Sequence, residues 1–243
     1  MLNYVRRGSG EPLVLVHGFL GSKDIFAGVT ERLAQQYDVI SVELPGHGDS
    51  AVEKDAYSVY DYADAVIDVL KQEGIEEVNW LGHSLGGYIT LAVLETKRFP
   101  IKRAVLAYSS ASPDDEEAKK KRDKQAQDIE GNGVDAFVDG VIENFFAKNA
   151  ARETIDVARS IAKCATADGL TKALQAMKTR PDQREFLQTL DVPTLVIEGS
   201  EDGAVKPIET NNRNIQKVIT NTGHLGMLED EDAFVEAVQQ FLA

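Results

Sequence analysis

Short, uninterrupted apolar runs recur along the chain, separated by longer stretches in which apolar and charged positions alternate at helical spacing. The first clear run is Leu13-Val14-Leu15-Val16. Val39-Ile40-Ser41-Val42, Val78-Asn79-Trp80-Leu81, Ala104-Val105-Leu106-Ala107, Thr194-Leu195-Val196-Ile197 and Lys217-Val218-Ile219 follow. Runs rich in β-branched residues and lacking polar alternation predict strands buried on both faces, as in a parallel sheet. Between them, Val59, Tyr62, Ala63, Val66, Val69 and Leu70 fall on one helical face opposite Asp61, Asp64, Asp68 and Lys71, with Gly74 as the stop. Ile25, Val29 and Leu33 mark an earlier helix, and Phe234, Val235, Val238, Phe241 and Leu242 the last one. Strand and helix in alternation predict an α/β fold around a doubly wound, mostly parallel sheet.

The rhythm breaks between Ser112 and Arg180, where no strand pattern appears. This stretch opens with the charged run from Asp114 to Arg122, read as a solvated helix face, and continues with helical patterns near residues 134–146, 152–163 and 169–178. A helical block between two strands predicts a lid over the carboxyl edge of the sheet, where α/β proteins bind ligands. The expected organisation is a core of residues 1–111 and 181–243 with a helical cap of residues 112–180.

The chain of 243 residues has room for one sizeable core and one insertion. Its net charge of −14 argues against a nucleic-acid binder and against docking on anionic lipid. The lone Cys164 excludes an intrachain disulfide and is expected to be a buried residue of the cap. The basic start, Met1 to Gly8, is not followed by the apolar stretch of a secretory signal, and no apolar run is long enough to span a membrane. The expectation is a soluble cytoplasmic protein, monomeric or homodimeric.

Gly82-His83-Ser84-Leu85-Gly86 lies directly between the Val78–Leu81 strand and a helical stretch. This is the G-x-S-x-G nucleophile elbow, in which a serine on a sharp turn needs small neighbours two positions away on either side. His17-Gly18-Phe19 ends the first buried strand, so the amides of Phe19 and Leu85 are the expected oxyanion donors. A nucleophilic serine needs a base, and the base an orienting carboxylate. Of four histidines, His83 belongs to the elbow, His17 reads as a brace for its loop, and His47 sits in the turn Leu44-Pro45-Gly46-His47-Gly48. His224, on the loop after the last strand, is the expected base by elimination and by the order serine, acid, histidine. Asp202, set deepest in the turn after Val196-Ile197-Glu198-Gly199, is the expected acid. A helix is expected to begin at Val205-Lys206-Pro207. Glu198 and Glu201 are lesser candidates for the acid and are expected to be exposed turn charges.

These motifs, together with Glu43-Leu44-Pro45-Gly46-His47-Gly48-Asp49-Ser50, closely resemble the α/β-hydrolase superfamily, in particular its small esterase-like members. The resemblance covers both core segments. It places the family's nucleophile on Ser84, its acid on Asp202, its base on His224 and its oxyanion amides on Phe19 and Leu85. Glu43 stands where relatives usually have Asp, a structural position. The resemblance implies a serine carboxylesterase that cleaves short- to medium-chain esters through an acyl-enzyme, needs no cofactor or metal, and takes a small-molecule ester. Phe137, Phe145, Phe146 and Met177 could close an acyl pocket or simply pack the cap helices. Alternatives on the same triad are a carbon–carbon bond hydrolase, a menaquinone-pathway-like lyase, a perhydrolase side activity, or a ligand receptor that uses the pocket. The lyase would need arginines near the elbow, and Tyr88 follows Gly87 where one would be expected. The cap holds 12 basic and 13 acidic residues against 14 and 27 in the core segments, so a neutral, partly apolar substrate is expected beneath it.

Overall fold

The computed structural model describes residues 1–243. Its strands are β1 (Tyr4–Gly8), β2 (Glu11–Val16), β3 (Tyr37–Val42), β4 (Val78–His83), β5 (Ile101–Ala107), β6 (Thr194–Gly199) and β7 (Ile215–Thr220). They form one sheet in the order β1-β3-β2-β4-β5-β6-β7. Only the β1–β3 pairing is antiparallel. The central strands β3 and β4 are buried throughout, as their unbroken apolar runs predict. Helices α1 (Ala27–Leu33), α2 (Val59–Gln72) and α3 (Leu85–Thr96) connect strands, and after the short α8 (Gly226–Glu229), α9 (Glu231–Leu242) closes the chain. α1 packs against α9 and α2 against α3. Ser58 starts α2 with a reciprocal cap: its hydroxyl accepts from the Asp61 N–H, and the Asp61 carboxylate accepts from the Ser58 N–H. Gly74, at φ 72°, ends it.

Both edges of the sheet depart from the sequence pattern. β1 has no continuous apolar run because it is an edge strand. Its Arg6 side chain lies across Asp38 (2.9 Å) and Glu73 (2.6 Å) instead of entering the core. β7, expected to be buried on both faces, leaves Val218 and Ile219 exposed, one on each face, since it is the outermost strand of the sheet. The stretch after Asp202 is not a helix. The Glu198 carboxylate accepts the Ile208 N–H (2.7 Å), and Lys217 Nζ donates to the Ile208 carbonyl (2.5 Å). Both groups a helix would need there are thus already engaged.

Between β5 and β6 lie α4 (Glu116–Val141), α5 (Arg152–Ala162), α6 (Ala167–Lys178) and α7 (Arg184–Gln188). α4 is one long element kinked at Gly133, whose φ of 82° is not helical. α4 packs on α6. The charged run that opens α4 is only partly solvated. Asp114 is buried and holds Arg122 (3.1 Å) and Arg180 (2.6 Å). Cys164 is exposed, not buried, because α5 turns Ala158 and Ala162 inward and Cys164 lies beyond its end.

The loops at the carboxyl ends of β2 and β3 are braced by buried histidines. His17 Nε2 accepts the Leu44 N–H (2.9 Å), and its Nδ1–H donates to the Gly18 carbonyl (2.7 Å). A ring nitrogen that accepts requires the neutral imidazole, protonated at Nδ1. His47 donates through Nδ1 to the Pro45 carbonyl (3.1 Å). The Glu43 carboxylate takes Lys23 (2.6 Å) and the Asp49 N–H (2.9 Å) beneath the same loop, which agrees with a structural role. Helix α6 is pinned here too: the Thr166 N–H donates to the Gly46 carbonyl (2.8 Å). Gly46 and Gly169 approach so closely that a Cβ on either would strike the other's backbone.

Burial depresses the basicity of His47 to about 4. Its contribution to stability is complete above the unfolded value near 6.5 and is lost as pH falls from there towards about 4, because the unfolded chain binds the proton first. Urea unfolding between pH 7 and pH 4.5 should therefore fall less steeply in His47→Gln than in the wild type, by up to about 1.4 kcal/mol per pH unit. Parallel slopes would show that His47 is protonated at its ordinary value in the fold.

Candidate active site

β4 passes directly into α3 through Ser84, which sits at φ 51° and ψ −113°. This conformation is strained for a residue with a side chain, and the surroundings impose it. A Cβ at Gly82 would strike the Gly86 carbonyl and Thr90, and one at Gly86 would strike the Val16 carbonyl at the end of β2. Only glycine at both positions lets strand and helix meet at this angle. The Ser84 N–H donates to the Ala107 carbonyl (2.9 Å), and the Ser109 hydroxyl donates to the Ser84 carbonyl (2.9 Å), so the turn is fixed from β5 as well.

Ser84 Oγ lies 2.9 Å from His224 Nε2, and His224 Nδ1 lies 2.8 Å from Asp202 Oδ2. Both side chains of the His224–Asp202 pair are 5% exposed, which keeps water from competing for the bond. Asp202 Oδ1 accepts the Ala204 N–H (2.8 Å), so both carboxylate oxygens are directed. Neither alternative acid bonds to His224. Glu201 accepts from the Lys148 N–H, and Glu198 is half-buried against Ile208 and Lys217 rather than an exposed turn charge. The backbone of His224 is held twice. Its N–H donates to the Phe145 carbonyl (2.7 Å), and its carbonyl accepts from His83 Nε2 (2.9 Å). His83 is fully buried, and burial pushes its basicity well below the usual value, so it stays a neutral donor 5.0 Å from the His224 ring.

The amide N–H groups of Phe19 and Leu85 make no hydrogen bond within the protein. Gly18 brings the first of them in: a Cβ there would press on Ser84 Cβ and His83. The arrangement thus brings together a serine, a histidine held by a carboxylate, and two free amides, one at the strand-to-helix junction and one in the loop after β2. It lies where β2 and β4 are neighbours and the strand order reverses direction, the expected ligand position in a doubly wound sheet. No group of three or more His, Cys, Asp and Glu side chains is placed to hold a metal ion.

A cavity of about 150 Å³ opens over Ser84 and His224. Of the four expected pocket residues, Phe145 and Met177 line it. Phe137 does not: it packs edge-on against Phe19, with ring centres 6.3 Å apart. Phe146 turns into the core, 8% exposed. The sequence pattern could not separate these two from lining residues, since all four share apolar helical positions. It also missed Lys121, Arg122 and Gln125, which reach the cavity from one face of α4. Their spacing of one and four residues was the available signal. No guanidinium follows Gly87; Arg180 lies over the Tyr88 ring at 4.2 Å but is paired with Asp114 and does not line this cavity.

Known proteins resemble this chain in sequence and in fold. The chain is 35% identical over 101 residues to the (E)-2-((N-methylformamido)methylene)succinate hydrolase of Acinetobacter baylyi, a match over 42% of this chain and 38% of that protein. The chain therefore spans well under two thirds of that relative's length. It is 26% identical to the pimeloyl-[acyl-carrier protein] methyl ester esterase of Vibrio campbellii, over 100% of this chain and 98% of that one. A thermophilic esterase from Thermogutta terrifontis superposes with a TM-score of 0.91 at 26% identity, covering 99% of this chain and 92% of the other. The sequence model of the alpha/beta hydrolase fold matches residues 11–184, well over half of the chain, and the protein belongs to the α/β hydrolase fold family.

Proposed function

We propose that the protein is a serine hydrolase that cleaves small carboxylic esters through an acyl-enzyme on Ser84. The observation that carries this reading is the unbroken chain from Ser84 Oγ through His224 to Asp202, set beside two unused amides. His224 Nδ1–H donates to Asp202, which leaves Nε2 free to take the Ser84 proton as Oγ attacks the ester carbonyl. The developing oxyanion accepts from the Phe19 and Leu85 N–H groups. Collapse breaks the bond to the alcohol oxygen, and His224 returns its proton to the leaving group. A water then loses a proton to His224, attacks the acyl carbon and releases the acid, restoring Ser84. Asp202 holds the imidazole tautomer and stabilises the imidazolium in both halves.

The cavity limits the substrate. A volume of about 150 Å³ is that of a pocket for one aromatic ring or a short acyl chain. The helices between β5 and β6 act as the cap that walls it, through Phe145 and Met177. The ester-cleaving names of the Vibrio campbellii and Thermogutta terrifontis proteins support the same reaction class.

Wild-type protein should hydrolyse p-nitrophenyl acetate and butyrate with turnover and should label with a fluorophosphonate at Ser84. Ser84→Ala should lose about 10⁴–10⁶-fold in kcat and all labelling. A wild type that neither turns over nor labels would falsify the hydrolase reading and favour a ligand receptor. His83→Phe removes only the donor to the His224 carbonyl. It should lower kcat about tenfold with KM little changed, the loss of one buried hydrogen bond that sets the base. An unchanged kcat would show that His224 is held without it.

A further inference from the structure

The cavity over Ser84 has a charge pattern opposite to that of the molecule. The chain carries 40 acidic and 26 basic residues, yet two of the residues lining this cavity, Lys121 and Arg122, are cationic and none is acidic. A second cavity of about 140 Å³ adjoins it, with Tyr88, Lys121 and Arg122 forming the shared wall. The acids of this second cavity are already engaged. Asp114 holds Arg180 Nη1 and Arg122 Nε, and Asp115 pairs with Lys206 at 2.9 Å. Lys121 makes no ion pair, and the two terminal nitrogens of Arg122 make none either. Lys121 therefore stands unpaired beside the candidate nucleophile, and Arg122 shares the single Asp114 carboxylate with Arg180 and keeps its two terminal nitrogens free.

Gln125 points to the same conclusion independently. The residue lines the cavity with its Oε1 turned inward, buried without a hydrogen-bond partner. Gln125 Nε2 makes no hydrogen bond and, unlike Oε1, is accessible, so the amide already offers its N–H groups as donors. Lys121, Arg122 and Gln125 are thus three donors on one face of α4. Tyr88 adds a hydroxyl: its ring is fixed under Arg180, and it too lines both cavities.

We infer that the substrate of this site carries a carboxylate, bound by Lys121 and Arg122 with Gln125, at the end remote from the ester bond. The substrate class is thus an ester or lactone of a dicarboxylic or hydroxycarboxylic acid, not a neutral alkyl ester. A charge count over the whole cap hides this, because the cap's acids face away from the cavity or are paired at its rim. The inference rests on the hydrolase reading of Ser84.

The test compares matched pairs of esters: mono-p-nitrophenyl adipate against its methyl ester, and para-acetoxybenzoate against its methyl ester. The first pair places the carboxylate on the acyl side, the second on the leaving-group side. Wild type should favour the acid in one of the pairs by about 10–100-fold in kcat/KM, the strength of charge-assisted bonds in a partly buried site. High salt should reduce that ratio. Lys121→Gln and Arg122→Gln should each reduce it about tenfold, chiefly through KM for the acid. Lys121 is exposed and unpaired, so its replacement leaves the fold intact if Arg122→Gln does not. Lys124→Gln, on the same helix but paired with Asp128 and away from Ser84, should keep the wild-type ratio. Turnover of the neutral esters with no preference for either acid overturns this inference and leaves the hydrolase reading standing. Turnover of none of the four, with Ser84 unlabelled, overturns both.

Discussion

The site depends on one strained residue. Ser84 keeps a positive φ because β4, α3 and the end of β2 meet within a space that admits no Cβ at Gly82 or Gly86. A strain of about 1–3 kcal/mol persists only where packing over-determines it, and here the packing is the centre of the sheet. Three consequences follow from the single turn. Oγ is lifted towards His224, the Leu85 amide is left without a partner, and Gly18 can bring the Phe19 amide alongside. None of these could be obtained by placing a serine on a relaxed loop.

The four histidines show how burial and hydrogen bonding assign different tasks to one side chain. His17, His47 and His83 are buried completely, and desolvation holds each of them neutral. His17 accepts an amide proton, which no protonated ring could do. His83 donates to the backbone of His224, so its neutrality also avoids a charge next to the His224 ring. His224 is the one imidazole with a carboxylate on one nitrogen and a serine hydroxyl on the other. The other three supply the rigid frame in which that asymmetry is kept.

Much of this was legible in the sequence, for physical reasons. The central strands were readable because burial on both faces removes polar alternation, and Ser84 because a sharp turn demands glycine at fixed offsets. Asp202 and His224 followed from their positions after β6 and β7. β1 and the exposure of β7 were not readable, since an edge strand is under no such constraint and Arg6 or Ile219 can face water. The pocket was the least legible part. Phe137 and Phe145 occupy equivalent apolar positions in the sequence, and only the kink at Gly133 and the turn at Ile142–Phe145 send one to the core and the other to His224. Lys121 and Arg122 looked like part of a solvated run because charge composition says nothing about which way a helix faces.

Glu229 has a consequence for how this molecule can change. Its carboxylate accepts the Ala147 N–H and the Gly223 N–H, both at 2.9 Å, while the Phe145 carbonyl takes the His224 N–H. The helices over the cavity and the loop that bears His224 are therefore tied together by one backbone bond, from His224 to Phe145, and by the Glu229 carboxylate, which bridges Ala147 and Gly223. A foreign insertion grafted between β5 and β6 would have to reproduce the turn at Phe145–Ala147, or His224 would lose its register with Ser84. New specificities are open to this scaffold chiefly through side chains that do not enter that junction, such as those on α4, one substitution at a time. Wholesale exchange of the insertion is the route its own architecture obstructs.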